Sequence, residues 1–153
     1  MVGKFDIEIY NNKVHYFLTV KRNITLLRGD SATGKSELLR LIRDYEENGR
    51  SSGITIRCDR ACTVLTNVDW ERRIQSLQNH IIFIDGTAVF LKLQRFADLV
   101  WGSDNYFVII SRDDFRHLPC SIEEIYGLRN MSDEQKCRPS RKVGNEMFRL
   151  HRQ

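Results

Sequence analysis

The chain has 153 residues, 41% of them hydrophobic and 29% charged, which suits one soluble globular domain and excludes a disordered polymer or a multidomain machine. No apolar stretch approaches the roughly eighteen residues of a spanning helix and the start lacks a secretory leader, so a cytoplasmic location without membrane partner is expected. The net charge of +4 is concentrated: residues 134 to 153 hold six basic and two acidic side chains, while residues 1 to 133 hold 18 of each. We therefore divide the chain into a domain over 1–133 and a basic tail over 134–153, able to meet nucleic acid, an acidic partner or nucleotide phosphates, or simply to be solvated.

Along the chain, Phe5, Ile7 and Ile9 alternate with polar residues, as do Val14, Tyr16, Leu18 and Val20 after Asn11-Asn12. That pattern predicts a β-hairpin. Residues 24 to 28, Ile-Thr-Leu-Leu-Arg, predict a strand, and Leu38, Leu39, Leu41, Ile42 and Tyr45 predict a helix over 35–48. Between them lie Gly29, Asp30, Ser31, Ala32, Thr33, Gly34, Lys35 and Ser36, a complete GxxxxGK[ST] loop. Glycines let such a loop wrap its N–H groups around phosphate oxygens at a helix start, with Lys35 reaching the β- and γ-phosphates and the Ser36 hydroxyl on a magnesium ion.

Strand, loop and helix in this order resemble the P-loop NTPase superfamily, at every fixed position of the eight-residue motif. The resemblance implies a three-layer α/β fold with a mostly parallel sheet, preceded here by the hairpin, and ATP with magnesium as ligands. Residues 29 to 37, ending at Glu37, would form the nucleotide-binding segment.

Further on, a strand is expected at 54–58 and a helix at 69–79, capped by Asp69 and carrying Trp70, Ile74 and Leu77 inward. Ile81-Ile82-Phe83-Ile84-Asp85 reads as a strand buried on both faces, with a carboxylate at the end where open α/β sheets bind ligands. The resemblance makes Asp85 the second superfamily motif, holding the magnesium shell. A helix over 88–100 should bury Val89, Phe90, Leu93, Phe96, Ala97, Val100 and Trp101. Tyr106 to Ile110 is a second buried strand, ending in Ser111-Arg112, and a last strand runs through 122–126. In the ASCE branch, which includes AAA+ and ABC-type ATPases, the strand after the Asp strand inserts beside the phosphate-loop strand. Ser111 then takes the place of the γ-phosphate sensor, and Arg112 is the best of the candidate arginine fingers, ahead of Arg116, Arg138 and Arg141.

The pattern departs from an efficient ATPase after Asp85, where many ASCE enzymes carry a glutamate and this chain has Gly86. Glu37, Glu71, Asp113 and Asp114 are possible substitutes, each also readable as solvated. An Asn-Lys-x-Asp motif is missing, so ATP is expected rather than GTP; Tyr10, Tyr16 and Phe17 could stack on the base or simply pack. Three readings follow: an ATPase with weak or partner-dependent hydrolysis, a small-molecule or nucleotide kinase, and a nucleotide-gated interaction module without turnover, acting through a protein partner or a homo-oligomer. The cysteines Cys58, Cys62, Cys120 and Cys137 lack zinc-site spacing and are expected to be reduced packing residues.

Overall fold

The computed structural model describes residues 3–28, 35–112, 124–130 and 143–149. A sheet of nine strands, in the order β4-β1-β2-β9-β8-β3-β7-β6-β5, carries helices on both faces. The hairpin is β1 (Phe5–Tyr10) and β2 (Val14–Val20), and β3 (Ile24–Arg28) leads toward α1 (Lys35–Asn48). Then follow β4 (Thr55–Arg57), β5 (Ala61–Leu65), α2 (Trp70–Ser76), β6 (His80–Asp85), a 3-10 turn at Val89–Lys92, α3 (Gln94–Trp101), β7 (Tyr106–Ser111), β8 (Glu124–Asn130) and β9 (Val143–Arg149).

Five strands, β8-β3-β7-β6-β5, are mutually parallel, and β4-β1-β2 form an antiparallel wing joined through β9. The fold is thus α/β with a mixed sheet, its parallel part as large as an α/β core needs. β7 lies between β3 and β6.

Alternation along the parallel strands sorts two cores. Leu27, Ile81, Phe83, Tyr106, Val108 and Ile110 join Leu38, Leu41 and Ile42 of α1. On the opposite face Leu26, Ile82, Ile84, Phe107 and Ile109 meet Ile74 of α2 and Phe96 and Val100 of α3. The antiparallel wing contributes Ile7, Ile9, Tyr16, Leu18 and Val20 to the α1 core, so that helix is enclosed by strands from both parts of the sheet. Chain connectivity requires this curl. The two edge strands, β4 and β5, are separated only by residues 58–60. Such a link spans at most about 14 Å, whereas nine strands laid flat would be roughly 38 Å wide.

Several expectations are corrected. Residues 88–100 are not one helix, because the backbone at Leu93 is extended (φ −89, ψ 138) between the 3-10 turn and α3. Periodicity counted through that break misassigns Val89, Leu93 and Trp101, which are 69%, 48% and 88% exposed; Phe90, Phe96, Ala97 and Val100 are buried as expected. Asp69 stands before α2 in a left-handed conformation (φ 52) without a side-chain cap. Its carboxylate instead accepts from Arg72 at 3.2 Å. β5 was not expected, and β9 lies within the stretch read as a basic tail, so seven residues of that stretch belong to the sheet. No helix among the described residues is long and apolar enough to cross a membrane.

Candidate functional site

The C-terminal ends of β3, β6 and β7 meet at one edge of the sheet. Arg28 stands opposite Ser111, and Asp85 opposite Ile110. Gly29, Asp30, Ser31, Ala32, Thr33 and Gly34 lie outside the described residues. They connect Arg28, the end of β3, to Lys35, the first residue of α1, so both flanks of the loop are fixed at this edge. Ser36 is exposed in the first turn of α1, and Arg112 is exposed just beyond β7.

Asp85 follows Ile81 and Phe83 in alternation and therefore lies on the α1 side of the sheet. Its Oδ1 accepts two hydrogen bonds, from the backbone N–H and the hydroxyl of Thr87, both at 2.9 Å. A carboxylate fixed through one oxygen keeps lone pairs on the other for a cation or its water shell. Ser111 follows Phe107 and Ile109 and so falls on the α2–α3 side of the sheet. The two residues thus share an edge while belonging to opposite faces.

Between them sits Gly86, whose N–H donates to the Ile110 carbonyl at 2.8 Å. A Cβ on Gly86 would stand 2.4 Å from Ser111 Cβ and 2.5 Å from its Oγ. A side chain at position 86, a glutamate included, would press on Ser111 and require β6 or β7 to shift. Of the substitutes, Glu37 forms a two-pronged pair with Arg40 one turn along α1, one contact at 2.9 Å. That pairing, aided by the charge of Lys13, holds its carboxyl below the usual range. Glu71 pairs with Arg95 at 3.4 Å between α2 and α3. Asp113, Asp114, Arg116, Arg138 and Arg141 lie outside the described residues.

The hairpin supplies a further wall. β2 pairs in parallel with β9, β9 runs antiparallel to β8, and β8 is parallel to β3; the turn at residues 11–13 therefore reaches the same edge as the end of β3. Asn11 Oδ1 ties the turn by accepting from the N–H groups of Lys13 (2.8 Å) and Val14 (2.9 Å). Of the base-stacking candidates, Tyr16 is only 1% exposed under α1, and burial pushes its phenol up to about 12. It cannot meet a base. Tyr10 and Phe17 flank His15, with ring centroids 4.6 and 4.0 Å away, on the outer surface of the hairpin.

Sequence reading missed Arg28, Lys13 and Thr87 at this edge. The strand-loop order gives a signal for Arg28, and a hydroxyl two residues after a strand-ending aspartate signals an Asx turn, but the approach of Lys13 to Glu37 depends on the sheet's curl. Groups of three or more His, Cys, Asp or Glu side chains able to hold a metal ion are absent among the described residues. A cation here would depend on one carboxylate, a hydroxyl and ligand phosphates, as magnesium commonly does. No family model matches the chain, and no match was found among curated proteins or solved structures.

Proposed function

We propose that this chain is a P-loop NTPase of the ASCE type that binds ATP with magnesium at the C-terminal edge of its parallel strands. It turns the nucleotide over slowly, or only when a partner supplies a missing group. One observation carries the reading: a full phosphate-loop motif stands in the sequence between β3 and α1, in a sheet where β7 separates β3 from the Asp85 strand. Strand order, the side of the sheet on which Asp85 stands and the exposed Ser36 all support the site suggested by the motif.

In this reading Lys35 and the backbone of residues 29–36 hold the phosphates, while Ser36 and Asp85 hold the cation. Magnesium supplies positive charge against the phosphate oxygens. Thr87 orients the Asp85 carboxylate. Arg112 is available beyond β7 to meet charge developing on the transferred group, and Ser111 acts there only by turning from the α2–α3 side.

The crowding of Gly86 against Ser111 favours a second reading, a nucleotide-gated module that holds ATP intact. Purified protein incubated with magnesium and ATP or GTP, followed by chromatography of the nucleotides, separates the two. Release of ADP and phosphate supports the ATPase. Bound ATP unchanged over many hours supports the module, and no retained nucleotide in either mixture overturns both.

A further inference from the structure

The outer face of the hairpin carries a column of stacked rings. The Arg57 guanidinium lies 5.9 Å from the Tyr10 ring centroid, Tyr10 meets His15 at 4.6 Å, and His15 lies against Phe17 at 4.0 Å with 14° between the ring planes. A cation thus covers the Tyr10 end of the column. Of the three rings only Phe17 lines the adjoining groove, which has a volume of about 460 Å³, so the column opens there on the side away from His15.

The groove exists because the sheet splits beside Phe17. β2 pairs with β9 as far as Phe17 opposite Glu146, and beyond that pair the Thr19 N–H donates to the Met147 sulfur at 3.1 Å. Met147 of β9 and Tyr126 of β8 form the far wall. The near wall is the outer face of β1 and β2, where Glu8 stands opposite Phe17 and Asp6 opposite Thr19. Each carboxylate has one oxygen engaged: Asp6 Oδ1 accepts from the Thr19 hydroxyl at 2.8 Å, and Glu8 Oε2 lies 3.2 Å from His15 Nε2. The second oxygen of each keeps its lone pairs for another donor. Lys4 and Lys21 line the same groove, both exposed, and neither forms an ion pair among the described residues.

The geometry points to a ligand site, apart from the phosphate-loop edge, that takes a nucleoside monophosphate whose base carries an exocyclic amine. A flat base laid on Phe17 continues the column, because aromatic planes attract when stacked with an offset. The amine donates to Asp6 or Glu8, which as carboxylates only accept. A phosphate monoester, with a charge of about −1.5 to −2 at neutral pH, is matched by the two ammonium groups. A longer phosphate chain would bring further negative charge toward the two carboxylates. The volume lies within the roughly 300–1,000 Å³ usual for small-molecule sites. Register keeps the two sites apart: Asp6 and Thr19 pair toward the open end of the hairpin, whereas Tyr10 and His15 pair beside the turn that reaches the phosphate-loop edge.

The test is calorimetric titration of the full chain carrying Lys35→Ala, which removes the phosphate-loop contact, with the 5′-monophosphates of adenosine, cytidine and uridine and with ribose 5-phosphate. Adenosine and cytidine monophosphates should bind one per chain, uridine monophosphate at least about fivefold more weakly, and ribose 5-phosphate without measurable heat. Adding Phe17→Ala should weaken adenosine monophosphate by about tenfold or more, whereas Phe17→Trp, which keeps a ring face in place, should retain it. Lys4→Ala with Lys21→Ala should weaken it and flatten its dependence on salt. Equal affinity for the adenosine and uridine nucleotides, unchanged affinity in Phe17→Ala, loss of binding in Phe17→Trp, or no heat with any nucleotide would overturn the proposal.

Discussion

The two ends of the parallel sheet use polar residues in opposite ways. At the N-terminal end, buried Asn105 is consumed by structure: its Oδ1 accepts from the His80 N–H (2.8 Å), and its Nδ2 meets the Leu77 carbonyl (3.0 Å) and Ser103 Oγ (2.9 Å). One amide thereby ties together the approach to β7, the start of β6 and the exit of α2. At the C-terminal end Ser36, Arg28 and Arg112 are exposed, and Asp85 is braced on one oxygen by Thr87. Groups spent on one another hold the fold, whereas groups left facing solvent are available to a ligand.

This contrast predicts which variants lose binding and which lose stability. Lys35→Ala has the largest expected effect: triphosphate affinity falls by about 100-fold or more, because a charge-assisted contact in a phosphate cradle is removed, while the unfolding midpoint in urea stays unchanged. Calorimetric titration with ATP and magnesium measures it, and undiminished affinity would sink the nucleotide assignment. Asn105→Ala is its mirror image. It strips partners from the His80 N–H and the Leu77 carbonyl and should cost about 2–3 kcal/mol of stability in urea unfolding, with ATP affinity of the folded protein intact.

Gly86→Ala tests where the contrast breaks down. It lies at the C-terminal end of the sheet, yet its cost should be structural, about 1–3 kcal/mol, because the new methyl would meet Ser111 Cβ at 2.4 Å. Adding Ser111→Gly should restore much of that loss, and strict additivity in the double-mutant cycle would show that the two positions do not press on each other.

Legibility in the sequence follows the same division. The buried strands β3, β6 and β7 are uninterrupted apolar runs, and α1 repeats Leu38, Leu41, Ile42 and Tyr45 at helical spacing, so these elements announce themselves. β5 reads Ala-Cys-Thr-Val-Leu, too short and mixed to stand out, and is held by side chains of the helices before and after it, Glu46 of α1 and Arg73 of α2. β9 carries Gly144, Asn145 and Glu146 among its strand formers, and only its pairing with β2 and β8 makes it a strand. At the site, Asp85 is legible from a strand ending in a carboxylate. The face occupied by Ser111 and the closeness of Gly86 depend on how β6 and β7 are set against each other.

The smallest expected effect concerns Thr25, in the middle of β3. It is 1% exposed, and its hydroxyl oxygen has no hydrogen-bond partner among the described residues. By alternation it shares the α1 side of the sheet with Leu27. A hydroxyl buried without a partner loses its water and gains nothing in return, so Thr25→Val, of nearly the same shape, should raise stability by up to about 1 kcal/mol. Urea unfolding at constant m-value measures the change. A loss of stability would mean that the hydroxyl has a partner in the folded chain. A gain in stability with weaker ATP binding would instead give Thr25 a role in the strand that leads into the phosphate loop, and the division between the two ends of the sheet would then run through β3 itself.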